Sequence, residues 1–135
     1  MKKLSSVLLI DDDSTTNFLN NLLLKRLDVA DALLVAENGA LGLDILTKSC
    51  AKATSECPAL ILLDVNMPVM NGIEFLEAYQ HLPLTQRQAI IIVLLTTSVH
   101  PRDLERVRQL PIAGTLSKPL TEEKVRSVLQ QYFPD

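Results

Sequence analysis

Residues 60–72 read LILLDVNMPVMNG. Four apolar residues run straight into Asp64, a polar turn containing Pro68 follows, and Asn71-Gly72 leads into a helix carrying Ile73, Phe75, Leu76 and Tyr79. A short unbroken apolar run suits a strand buried on both faces, as in a parallel sheet flanked by helices. Asp64 then stands at the C-terminal end of that strand, where ligands bind in open α/β sheets. Met67-Pro68 fixes the turn, because proline restricts both itself and its predecessor.

The same alternation extends in both directions. Val7–Ile10 is a second apolar run, ending in Asp11-Asp12-Asp13, with Ser14 as the expected N-cap. Phe18, Leu19, Leu22, Leu23 and Leu27 then recur at helical spacing. A short strand is expected over 32–36. A helix opened by Asn38 or Gly39 follows, with Leu41, Ile45 and Leu46 inward. The polar stretch KSCAKATSEC reads as a loop. On the other side of Asp64, Ala89–Leu95 is a β-branched run ending in Thr96-Thr97-Ser98. Pro101 suits the first position of a fourth helix with Leu104, Val107 and Leu110 inward. A brief strand over 112–116 ends at Ser117-Lys118-Pro119. Thr121 can cap a fifth helix, whose first turn carries Glu122 and Glu123 as the helix dipole prefers. Five β–α units in alternation imply a doubly wound, five-stranded parallel sheet with helices on both faces.

Bulk properties narrow the class. The chain has 135 residues, enough for one domain and too few for two of ordinary size. The expected organisation is a single domain over 1–135 with no output domain. A net charge of −3 gives no basic field for nucleic acid or an anionic membrane. The apolar run near the N-terminus is too short for a signal peptide, and no window spans a bilayer, so the expected location is the cytoplasm. Cys50 and Cys57 match no zinc or redox spacing and are read as free thiols. His81 and His100 lack acidic companions at ligand spacing.

Parallel strands bring their C-terminal ends to one edge, so Asp11, Asp12, Asp64, Thr96 and Lys118 converge. Clustered carboxylates repel, and a raised pKa or a divalent cation relieves that. Mg²⁺ takes oxygen ligands of this kind. Lys118 supplies a compact positive charge and Thr96 a hydroxyl donor. A carboxylate nucleophile, a metal, a cation and a hydroxyl are the parts that phosphoryl transfer needs.

The segments LLIDDD, LLDVNMPVMNG, LLTTS and SKP, in this order and spacing, resemble the receiver domains of two-component response regulators, stand-alone and CheY-like. The resemblance covers nearly the whole chain and implies a flavodoxin-like sheet order of 2-1-3-4-5. It implies that Asp64 is the phospho-acceptor, that Asp11, Asp12 and Asp64 hold Mg²⁺ with the Asn66 carbonyl, and that Thr96 and Lys118 engage the phosphoryl group. It further implies a cis bond between Lys118 and Pro119. The donor would be a sensor histidine kinase or histidine phosphotransferase. The protein would be a signalling receiver, and Mg²⁺-dependent self-phosphorylation and self-dephosphorylation at Asp64 would be its only chemistry. The output would be altered contacts with a protein target, through the face made by the fourth helix, fifth strand and fifth helix, in a monomer or weak dimer.

One position departs from the family pattern: Thr115 stands where similar domains carry an aromatic residue coupled to the threonine. The expected output face also carries Arg102, Arg106, Arg108, Lys124 and Arg126, which fit an acidic partner or a solvated face with local pairs such as Glu122–Arg126. Two other classes stand beside the receiver reading. An aspartate-nucleophile phosphatase would place a second aspartate at position 66, which is asparagine here. The other is a binding module that uses the fold without phosphorylation.

Overall fold

The computed structural model describes residues 3–49, 57–65, 71–81, 90–96, 109–110 and 112–134. Its five strands are β1 (Leu4–Ile10), β2 (Ala30–Ala36), β3 (Leu60–Asp64), β4 (Ile91–Thr96) and β5 (Gly114–Ser117). They pair in parallel in the order β2-β1-β3-β4-β5. The described helices are α1 (Ser14–Leu27), α2 (Gly39–Ser49), α3 (Gly72–Tyr79) and α4 (Glu122–Tyr132), the last being the fifth helix of the sequence reading. The turn through Met67-Pro68 and the expected helix from Pro101 lie outside the described residues.

The sheet divides the interior in two. Leu8, Ile10, Ile61 and Leu63 face a cluster shared with Leu46 of α2 and Phe75 of α3. Val7, Leu9, Leu60 and Leu62 face the opposite cluster, shared with Leu24 of α1 and Val128 of α4. The central strands are apolar on both faces because both faces are covered, and β3 is buried along its whole length. The edge strand β2 is largely half-exposed or exposed, which is why its weaker apolar signal began two residues late in the sequence.

Local chemistry sets the helix ends. Asn71 and Glu74 form a reciprocal capping box that starts α3. Thr121 caps α4 by accepting from the Lys124 N–H. Asp13, not Ser14, caps α1, accepting from the Thr15 N–H and the Thr16 hydroxyl. Asp28 ends α1 with φ 54°, in the left-handed region that aspartate tolerates, and its N–H closes on Leu24 and Lys25.

Three expectations are corrected. The inner face of α1 is Asn17, Asn20 and Leu24, while Phe18, Leu19 and Leu22 are 66%, 56% and 55% exposed. This helix carries apolar residues around most of its circumference, so spacing alone does not single out the face that packs on the sheet. Leu41 at the start of α2 is likewise exposed, and Gly42 and Leu46 turn inward. Cys57 is disulfide-bonded and not a free thiol; the other cysteine, Cys50, lies outside the described residues. A seven-residue separation makes loop closure cheap, a point that motif spacing does not address.

Gly72 begins α3 directly against the strand that ends in Asp64. A Cβ there would lie 2.5 Å from the Asp64 carbonyl oxygen and 2.9 Å from the Val65 Cα, both backbone atoms. Gly72→Ala should therefore lower unfolding stability by roughly 1–3 kcal/mol in urea titrations. Gly114→Ala meets only the end of a side chain, the Tyr132 hydroxyl at 2.7 Å. It should cost about 0.5–1.5 kcal/mol, the scale of the Tyr132–Ala113 hydrogen bond it displaces.

Candidate functional site

β1 hands over to Asp11 with its ladder still intact: the Asp11 N–H donates to the Ala36 carbonyl at 3.1 Å. The Asp11 carboxylate then turns the chain by accepting from the Asp13 N–H at 2.9 Å. Its carbonyl accepts from the Asn17 side-chain amide at 2.7 Å. β3 ends in Asp64, which is paired with Leu95 of β4. Thr96 stands one residue further along the same edge, in register with Ser117 of β5. The Thr96 carbonyl accepts from the Lys118 N–H at 2.9 Å, so β4 fixes where the lysine leaves the sheet.

Of the residues expected to converge, the structure brings Asp11, Asp12, Asp64 and Lys118 together. Carboxylate oxygens of Asp11, Asp12 and Asp64 lie within 4.8 Å of one another. The Lys118 ammonium bridges two of them, 3.0 Å from Asp11 Oδ2 and 3.0 Å from Asp64 Oδ1. Asp11 and Asp64 are buried and Asp12 is exposed. Asn66 and Ser98 lie outside the described residues. The Lys118–Pro119 bond is cis, as the resemblance implied.

The electrostatics follow from this geometry. Burial raises the Asp64 pKa; the hydrogen bond and charge of Lys118 pull it back, while Asp11 and Asp12 push it further up. The net direction is upward. For Lys118, burial opposes the charged form, but hydrogen bonds to Asp11 and Asp64 prevail and its pKa is raised. Asp13 is different in kind: the Thr16 hydroxyl and the Thr15 N–H hold its carboxyl below the ordinary value, as befits a cap. The three oxygen-bearing carboxylates, two buried and one open to water, fit a hard divalent cation that keeps several waters, as Mg²⁺ does.

Two residues were not identified as site residues from the sequence. Lys124 was read as part of a basic face, yet its ammonium donates to the Ser117 carbonyl (2.7 Å), the Ser117 hydroxyl (3.1 Å) and the Pro119 carbonyl (3.0 Å). It thereby brackets Lys118. The available signal was a lysine in the first turn of a helix, against the helix dipole. Asn17 was passed over as a spacer between apolar residues. The neighbouring Arg126 pairs with Glu122 at 3.1 Å, the local pair weighed against a partner-binding role. Thr115 is exposed on β5, and the aromatic ring over Gly114 is that of Tyr132, whose hydroxyl donates to the Ala113 carbonyl at 2.9 Å.

Comparison with known proteins gives a consistent picture. Residues 7–130 match the model of the response regulator receiver domain. The chain is 32% identical to a probable chemotaxis protein CheY of Rhizobium etli, covering 94% of this chain and 91% of that one. It is 28% identical to the sporulation initiation phosphotransferase F of Bacillus subtilis, over 73% of this chain and 71% of the relative. Among solved structures, a two-component response regulator from Cytophaga hutchinsonii superposes with a TM-score of 0.85 at 27% identity, covering 99% of this chain and 100% of that one. The chemotaxis response regulator CheY4 of Vibrio cholerae gives 0.78 at 26% identity, over 97% of this chain and 100% of that one. No helix among the described residues is long and apolar enough to cross a membrane.

The raised Asp64 pKa has a definite consequence for stability. Between the ordinary value of 3.8 and the higher folded value, the folded protein holds a proton that the unfolded chain has lost. Stability therefore falls as pH rises through that window, and above it ionised Asp64 is a standing penalty. Metal-free Asp64→Asn should unfold at higher urea than wild type at pH 7, by roughly 1–2 kcal/mol, since one buried like charge is exchanged for a neutral amide. The difference should close as pH falls below 3.8, where the wild-type carboxyl is protonated in both states.

Proposed function

The chain belongs to the response regulator receiver domain family, and on that premise we propose that Asp64 accepts a phosphoryl group from the phosphohistidine of a sensor histidine kinase or histidine phosphotransferase. The observation that carries this reading is the Lys118 ammonium held 3.0 Å from both Asp11 and Asp64, beside the exposed Asp12. Asp64 would form a bond from a carboxylate oxygen to phosphorus, and the phosphorus–nitrogen bond to imidazole would break, with the imidazole nitrogen keeping the electron pair. Lys118 would exchange its carboxylate contact for a phosphoryl oxygen. Thr96, anchored at the end of β4, would offer its hydroxyl to the same group.

Asp11, Asp12 and Asp64 would hold Mg²⁺, with the Asn66 carbonyl as a further ligand. When bound, the ion neutralises charge on the transferring oxygens. The later loss of phosphate would be self-dephosphorylation at the same aspartate, in a signalling receiver of the cytoplasm. The family match over 7–130 supports reading 1–135 as a single receiver domain. The exposed Phe18, Leu19 and Leu22 lie on the helix that springs from the acidic turn. They would offer the donor an apolar surface to rest on. Output would pass through the face that includes β5 and α4, in a monomer or weak dimer. The charge added by phosphorylation, about −1.5 to −2, would act there through Lys118 and Thr96.

Intact mass after incubation with acetyl phosphate and Mg²⁺ tests the proposal. The expected result is one added phosphoryl group per chain, absent in Asp64→Ala and absent with EDTA. A gain retained in Asp64→Ala would move the acceptor elsewhere. No gain with acetyl phosphate or with phosphoramidate would favour a binding module that works without phosphorylation.

A further inference from the structure

Asn17 sits on the inner face of α1, with Asn20 and Leu24. It is 5% exposed, and its Oδ1 is a buried acceptor with no hydrogen-bond partner among the described residues. An unpaired buried acceptor works against folding, and an aliphatic residue of similar shape would remove the problem. What asparagine supplies in return is one bond, the 2.7 Å donation from Nδ2 to the Asp11 carbonyl. That carbonyl lies just past the point where β1 stops pairing: the register with β3 ends at Ile10–Leu63, and the register with β2 at Ile10–Ala36. Among the described residues, no strand register therefore extends to the peptide between Asp11 and Asp12.

We propose that Asn17 is a positioning residue for the acidic turn, holding the Asp11–Asp12 peptide so that both carboxylates stay presented to a divalent cation. The backbone of Asn17 reinforces the same turn, its N–H donating to the Asp13 carbonyl at 3.0 Å. Lys118 and the Asp13 N–H already hold the Asp11 carboxylate from the front. Asp12 is the exposed member of the three, and its direction depends on the peptide plane that Asn17 fixes. The residue thus gives up stability for geometry, in the way expected of groups that support a site. This inference rests on the receiver reading only for the identity of the cation.

The test compares wild type, Asn17→Leu and Asn17→Ala in two measurements: Mg²⁺ affinity by calorimetric titration with MgCl₂, and urea unfolding without metal. The expected result is Mg²⁺ binding at least tenfold weaker in both variants, with the urea midpoint of Asn17→Leu equal to or above that of wild type. Asn17→Ala guards against overpacking by leucine, and must show the weaker binding in a chain whose circular dichroism is that of folded wild type. Wild-type Mg²⁺ affinity in either folded variant overturns the proposal. So does loss of folding in both, which would make Asn17 a structural residue only. Failure of wild type itself to bind Mg²⁺ would be seen in the same titration, and would remove the metal-binding receiver reading before Asn17 was in question.

Discussion

One ammonium group holds the functional edge of the sheet together. Lys118 leaves β5 and reaches Asp11 beyond β1 and Asp64 at the end of β3, joining segments more than fifty residues apart. The pair of contacts is mostly shielded from water, so it is a constraint of a kind that surface ion pairs are not. Three carboxylates against one ammonium leave two negative charges. That remainder matches a divalent cation, and it explains why burial and its neighbours drive Asp64 towards protonation without metal. The lysine itself is positioned through backbone carbonyls: that of Thr96 accepts from its N–H, and those of Ser117 and Pro119 on either side are gathered by the Lys124 ammonium.

Much of this was legible in the sequence because its signals were redundant. The apolar runs before Asp11, Asp64 and Thr96 each marked a strand, and parallel topology alone brought their ends together. The starts of α3 and α4 followed from Asn71-Gly72 and from Thr121, whose capping chemistry is local. What failed was the choice between faces of a helix that is apolar nearly all round. Leu22 and Leu24 look alike in a periodicity count, yet one is outside and the other is in the core. The difference comes from which face the helix turns to the sheet, which is a three-dimensional fact.

The positions passed over in the site share a cause. Asn17 and Lys124 act mainly on backbone carbonyls, Lys124 reaching the Ser117 hydroxyl as well. A carbonyl is present at every residue and leaves no mark in the sequence, so a residue that serves one cannot be found by matching it to a chemically distinctive partner. Cys57 was misjudged for a related reason, since a motif search asks about ligands and says nothing of loop closure.

The two-sided interior bears on how β1 keeps its place. Val7 and Leu9 face one cluster while Leu8 and Ile10 face the other, so both faces of the strand are aliphatic. Sliding β1 by one residue would, between Val7 and Ile10, mostly exchange branched hydrocarbon for branched hydrocarbon. The same slide would pull Asp11 away from the Lys118 ammonium and draw a charge towards the hydrocarbon interior. In this strand the greasy residues supply cohesion without an address. The address is written by the aspartate at its end, so the charges that equip the edge for chemistry also keep the ladder in step.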